Sequence, residues 1–517
     1  MTISEFLKIT DLDNKTADES LDIILQLTDL SLDEKRDDGL GHALFLGEEL
    51  KKKKLTTEQL ALLNYFLGNA WDNKRKIHPQ RNRWGWEDDA LGKEIICLRL
   101  ALKEEGFLKL DKMRQCQILT NLANLLNEVG RASEAFWYWN KALKIEPRFS
   151  MAHANRAYGS YLFAFDLRFN EHYAIHFMQQ AYFHFVQAFK RPQQIHEGAK
   201  KFFLFYFDKV KKTLSENVLK KRPKEGSLVL DDKNEETYRN WCLENKYFLN
   251  PLNDLGPLVN SAVDDLYLPP ITTGIHEGPK YHGLFNQIKQ EFVSARFLFY
   301  EGTHSNEVHY SDKSVYMANT FDYPSYCLAV EKVKYSFRSF YSLLDKIAFF
   351  INDYLNIGIN ERAISFKSLW YEMHKGQRLL RDVFVNRENR FLRAMFWLSK
   401  DLYEAQGDFG EALEPEAKAL QEIRNHLEHK YLKVHEPEYA IFRNPDKNLE
   451  FMSDKLAYSI LRKDFETKAE RMLRFSRAAI IYLVVAIHRE EQLKTKGKDK
   501  KLVAPMIVDG WDDEWKR

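Results

Sequence analysis

Between Asn121 and Pro147 the chain carries a pattern that only paired helices satisfy. Asn121-Leu122-Ala123-Asn124-Leu125-Leu126 is followed by Gly130-Arg131, Glu134-Ala135, Lys141-Ala142-Leu143 and Ile145-Glu146-Pro147. The small residues let two antiparallel helices approach closely, Gly130 permits the turn between them, and Pro147 ends the second. Asn155 and Ala157 repeat Asn121 and Ala123 after 34 residues. Stacked units of this kind form an α-solenoid with a concave groove.

The pattern and its period resemble a tetratricopeptide repeat. Asn64 to Trp71 reads as the first helix of an earlier, longer unit, and Tyr182 to Lys190 as the second helix of a later one. The resemblance implies a surface that senses a partner or ligand; the alternative is a scaffold that only packs against the rest of the chain.

Glycine (22) and proline (14) are scarce among 517 residues, which favours long helices, and 36 Phe with 25 Tyr suggest thick helical cores. An all-α chain is expected, with N-terminal helices over 1–60, a TPR-like α-solenoid over 61–222, an irregular connector over 223–328, a C-terminal bundle over 329–494, and a charged tether with a Trp-rich tail over 495–517. The bundle helices are expected at about 329–356, 388–405, 413–434 and 463–494, with one connector helix from Tyr281 to Tyr300. The tail's tryptophans are expected to dock on a surface.

The formal net charge of +2 rules out a global basic field, so any nucleic-acid contact must come from a local patch. Arg390, Arg393, Lys430 and Lys433 are candidates for it. Lys220-Lys221-Arg222-Pro223-Lys224 reads as a domain boundary. Four scattered cysteines without a Cys-x2-Cys pair point away from disulfides and zinc, toward a reducing cytoplasm. The start lacks a basic region followed by an apolar one, so no signal peptide is expected. The run Ala478 to Ile487 is too short to span a bilayer and reads as buried helix. His276, His282, His304 and His309 match no metal spacing, and neither metal nor cofactor is expected.

The chemistry concentrates in Arg424-Asn425-His426-Leu427-Glu428-His429. Arginine can hold a phosphate and neutralise charge building on it. Histidine can move a 2′-hydroxyl proton or protonate a leaving oxygen. At about 100° per residue, Asn425 and His429 stack one turn apart, and Arg424 swings toward the same edge. Convergence is imperfect, so a second copy of the helix is expected to close the site. The ordinary alternative is a solvated Arg424–Glu428 pair. Arg148–His153 and Arg191–His196 share the Arg-x4-His spacing, but the first falls at a repeat joint and the second is broken by Pro192.

With Tyr431 two residues after His429, this motif on a long helix of a helical bundle resembles the HEPN superfamily. Tyr238 to Asn245 and Asn250-Pro251-Leu252-Asn253-Asp254 look like the linker of a HEPN subfamily with N-terminal repeats. The resemblance implies a metal-independent endoribonuclease, a toxin often used in antiphage defence. Arg424 would bind the scissile phosphate, His429 would act as general acid/base, and Asn425 would position them. It also implies a homodimer through the bundle, RNA as substrate (tRNA being one candidate), and a protein trigger or antitoxin at the repeats. Tyr431 becomes a candidate for adenylylation, or a core aromatic. Asp345 and Lys346 are candidate polar supports, and Glu428 a salt-bridge partner of Arg424. The competing reading is a non-enzymatic interaction scaffold.

Overall fold

The computed structural model describes residues 2–78, 85–272, 278–305, 307–320, 322–403, 414, 416–436, 454, 456–495, 508, 510 and 513–516. The chain forms two compact units, Met1–Pro223 with Phe384–Ala417, and Lys224–Val383 with Lys418–Arg517.

The first unit runs through α1 (Ile3–Phe6), α2 (Ala17–Asp33), α3 (Asp37–Lys51), α4 (Thr57–Ile77), α5 (Asp89–Ala101), α6 (Glu104–Phe107), α7 (Lys112–Glu128), α8 (Ala132–Ile145), α9 (Ser150–Asp166), α10 (Glu171–Phe189), α11 (Glu197–Lys211) and α12 (Glu216–Leu219). The second begins with α13 (Lys233–Asn245), α14 (Lys280–His304), α15 (Leu328–Tyr354), β1 (Tyr371–His374) and β2 (Gln377–Leu380). After α16 (Asp382–Val385) the chain re-enters the first unit for α17 (Arg390–Leu402). It returns to the second for α18 (Ala417–His429), β3 (Tyr431–His435), β4 (Ala457–Leu461) and α19 (Arg462–Thr495).

In the first unit α2 and α4 start under capping boxes, Thr16 with Glu19 and Thr56 with Gln59. The pairs α2–α3, α4–α5, α7–α8 and α9–α10 pack side by side, consistent with helical repeats. The α7–α8 turn needs Gly130, whose φ is +92° and where a Cβ would stand 2.3 Å from the Arg390 carbonyl oxygen. That close neighbour is the start of α17. Arg390 donates to the Asn127 carbonyl and side chain at 2.7 Å and pairs with Asp166 at 3.1 Å. At the other end of α17, Asp401 is fully buried between Arg99 at 2.7 Å and Arg131 at 2.5 Å.

These contacts correct the expected bundle. The helix foreseen at 388–405 packs among the repeats of the first unit. Its apolar stripe suits either environment; the partners of Arg390 and Asp401, hundreds of residues away in sequence, decide the matter.

In the second unit α15 packs against α14 and α19. Phe337, Tyr341, Leu344, Ile347, Ala348 and Ile351 recur at helical spacing and are buried, as are all residues from Ala478 to Ile487. The connector is more ordered than its turn residues suggest. Arg296 of α14 pairs with Asp264 at 2.7 Å and donates to the Tyr247 carbonyl at 2.9 Å. Arg477 of α19 pairs with Asp254 at 2.7 Å and donates to the Phe248 and Asn250 carbonyls. Buried guanidiniums satisfied in this way hold the irregular segment on the long helices. β1 and β2 form an antiparallel hairpin, and β3 and β4 pair in parallel. Among the described residues no helix is long and apolar enough to cross a membrane. In the tail, Trp511 lies outside the described residues and Trp515 is 64% exposed.

Candidate active site

Helix α18 carries the motif, and it is shorter than expected. It ends at His429 instead of running to 434, and β3 follows after Lys430. Val434 lies on the helical face of Leu427, seven residues back, but it also alternates with Leu432 at period two. Pairing with β4 selects the strand. Tyr431 is therefore not on the motif helix. It opens β3 and is 40% exposed, with the Lys433 ammonium 5.8 Å from its ring centre.

The Arg424 side chain is half-buried against α15. Its guanidinium lies 5.7 Å from the ring centre of Tyr341 and donates to the Asn425 side-chain oxygen at 3.4 Å. A cation held on an aromatic face keeps its outward N–H groups available. Asn425, Glu428 and His429 are exposed.

Asp345, one α15 turn beyond Tyr341, also faces this region. Burial pushes its carboxyl above the ordinary aspartate range; the Phe366 N–H that it accepts at 2.8 Å and the charge of Arg424 pull the other way. Lys346 instead pairs with Glu291 of α14. Glu428 is not the partner of Arg424: it lies 3.9 Å from Arg338, which also donates to the Leu427 carbonyl. Arg338, Tyr341 and Asp345 follow one another at helical spacing along a single edge of α15. In sequence, Tyr341 looks like one more residue of an apolar helical stripe and Arg338 like an ordinary helical cation. The spacing was there to be seen, but the packing of α18 on that edge was not. His426 is half-buried. Its Nδ1 lies 2.8 Å from the Glu422 carbonyl and its ring 5.4 Å from Tyr458.

The basic surface foreseen around the motif is mostly internal. Arg390 and Arg393 belong to the first unit, Arg393 being buried. Lys433 is 3% exposed between Asp322 at 2.7 Å and Asp454 at 3.1 Å. Only Lys430 of the four is exposed. The other Arg-x4-His copies differ in setting. His153 is buried with its Nδ1 2.7 Å from that of His184, and Arg191 precedes a short 3-10 turn. Of the connector histidines, His276 lies outside the described residues. His304 and His309 make local bonds to Tyr300 and Ser311. Among the described residues no group of three or more His, Cys, Asp or Glu is placed to hold a metal ion.

An arginine cradled on an aromatic ring, an amide beside it and an exposed histidine on the next turn form a site suited to a phosphodiester. Residues 272–490 match the family model HEPN_LA2681, described as LA2681-like HEPN. The match supports the HEPN superfamily for this part of an otherwise all-α chain. It begins before α14 and includes α17. No curated protein and no solved structure matches.

Proposed function

We propose that this chain is a metal-independent endoribonuclease of HEPN type, working in the cytoplasm as a toxin or antiphage defence effector. The observation that carries this reading is the placement of Arg424. Its charge lies against the Tyr341 ring and forms no salt bridge among the described residues, beside Asn425 and one turn before the exposed His429. Arg424 binds the scissile phosphate. The 2′-oxygen attacks phosphorus as its proton passes to one histidine. The bond to the 5′-oxygen breaks, and a second histidine returns a proton to that oxygen. The products are a 2′,3′-cyclic phosphate and a 5′-hydroxyl. One motif supplies one such histidine, so a second copy of this chain supplies the other. An unstacked RNA loop, such as a tRNA anticodon, suits an exposed helix.

The N-terminal helical unit is the sensor. It holds α17, which lies within the family-matched stretch, just ahead of α18 in the chain. A trigger or antitoxin binds there. The exposed Tyr431 is open to adenylylation.

The test is expression of the wild type and of the Arg424→Ala/His429→Ala variant in a bacterial host. Growth arrest with discrete RNA fragments in the wild type alone is expected, with cyclic phosphate ends and cleavage that persists in EDTA. Dependence on magnesium, or cleavage by the double variant, would refute the reading.

A further inference from the structure

The first unit carries a concentration of positive charge around α11. Between Lys190 and Pro223 there are ten lysines and arginines against three acidic residues, in a chain whose net charge is only +2. Lys200, Lys211 and Lys220 have acidic neighbours on their own helices. Such exposed pairs are weak and leave the field largely intact. Lys201, Lys212 and Lys221 are exposed and form no salt bridge among the described residues, although Asp208 lies near Lys212.

The same segment presents aromatic rings to solvent. The inner face of α11 packs Phe203 and Phe207 against Phe185 and Phe189 of α10. Its outer face exposes Phe202, Leu204 and Phe205, the last 54% exposed. Phe202 and Tyr206 lie edge-on to Tyr158 at 4.9 and 4.7 Å, and Lys209 stands 4.6 Å from the Phe205 ring centre. Terminal helices of stacked arrays ordinarily turn a polar face outward. This one, at the end of the consecutive run of long helices, turns out rings bordered by cations.

We propose that the outer face of α11 is a docking surface for single-stranded RNA. Lysines track the phosphates while Phe202 and Phe205 stack on bases, a combination tolerant of sequence. Charge selects this occupant over a second copy of the chain, which would bring one cationic face against another. Stacking does not distinguish ribose from deoxyribose; the choice of RNA rests on the ribonuclease reading.

The test uses the full chain carrying Arg424→Ala and His429→Ala, so that binding is read without cleavage, and a fluorescein-labelled oligouridylate followed by anisotropy. Adding Phe202→Ala and Phe205→Ala should weaken binding about tenfold with an unchanged salt dependence. Adding Lys201→Glu, Lys209→Glu and Lys212→Glu should weaken it and reduce the slope against log salt by about 2. Unfolding curves matching the parent's would show that these exposed changes spare the fold. Unchanged binding in either set would overturn the proposal. So would equal affinity for an RNA duplex, or a changed association state in the phenylalanine variant with RNA binding intact, which would assign the face to a second copy. Wild-type cleavage is scored separately: RNA binding at α11 with no cutting would refute the ribonuclease reading and leave this surface standing.

Discussion

The guanidinium of Arg424 lies 5.7 Å from the centre of the Tyr341 ring. The two residues sit on different helices, so the ring sets where the arginine's charge can be. A cation–π contact of this kind contributes about 0.5–1 kcal/mol near a surface. Tyr341→Leu should therefore lower RNA cleavage by about two- to fivefold, while Tyr341→Phe, which keeps the ring, should cut at nearly the wild-type rate. Initial rates on one RNA, beside thermal melts of each variant, check this. A Leu variant that melts normally and cuts normally would remove Tyr341 from the positioning of Arg424.

Glu428 adjoins the catalytic candidates in sequence, yet it faces Arg338 at 3.9 Å with both side chains about 40% exposed. Exposed pairs contribute about 0–1 kcal/mol. Glu428→Gln should retain most activity and stability. Arg338→Ala should do more, because Arg338 also donates to the Leu427 carbonyl near the end of α18. Losing a cation at a helix C-terminus frees the last turn, where His429 sits. Cleavage assays on both variants decide: a Glu428→Gln enzyme as dead as His429→Ala would make Glu428 the base.

Much of this was legible in the sequence. The long helices were, because their apolar residues repeat at helical spacing: α15 and α19 fall within a residue or two of their expected ends. The motif helix is shorter than expected and stops at His429, because Val434 fits both a helical face with Leu427 and a strand with Leu432, and the strand's partner lies at 457–461. The positions of Arg390, Arg393 and Lys433 were not legible either. A lysine facing Asp322 and Asp454 looks, in one dimension, like a surface lysine. At the site, the residues of α18 were visible as a motif, whereas Arg338 and Tyr341 act through tertiary packing that no local pattern encodes.

Asp401 pairs with both Arg99 and Arg131 inside the first unit, and both it and Arg131 are fully buried. The arginines hold its carboxyl well below the usual aspartate range, against the effect of burial. Removing one member of a buried ionic group leaves uncompensated charge, at a cost of about 3–5 kcal/mol. Asp401→Ala should therefore lower the urea midpoint sharply. Arg131 also pairs with Glu134, and Arg99 with the buried Glu414, so the apolar control must clear the whole group. Arg99→Met/Arg131→Met/Asp401→Leu with Glu134→Gln and Glu414→Gln should recover much of the loss, since no charge is then stranded. If this combined variant were no more stable than the single one, packing rather than charge would explain the effect.

The stability of the first unit should also fall on mild acidification, because of His153 and His184. Their Nδ1 atoms are 2.7 Å apart, and His153 Nε2 lies 3.0 Å from the Pro147 carbonyl. Two neutral rings satisfy this arrangement, one Nδ1 donating and the other accepting; two imidazoliums cannot. Burial depresses both rings below the ordinary histidine value, His184 strongly, and Arg156 adds to it in each case. Above about pH 6.5 neither the folded nor the unfolded chain protonates them, so they contribute no slope. Below it the unfolded chain takes up protons that the folded one refuses, and stability is lost as pH falls, by up to about 1.4 kcal/mol per pH unit for each ring. Urea midpoints at neutral and mildly acidic pH, in the wild type and in His153→Leu/His184→Leu, test this. The wild type should lose more on acidification than the variant, whose leucines do not titrate. An equal loss in both would place the acid sensitivity in other groups.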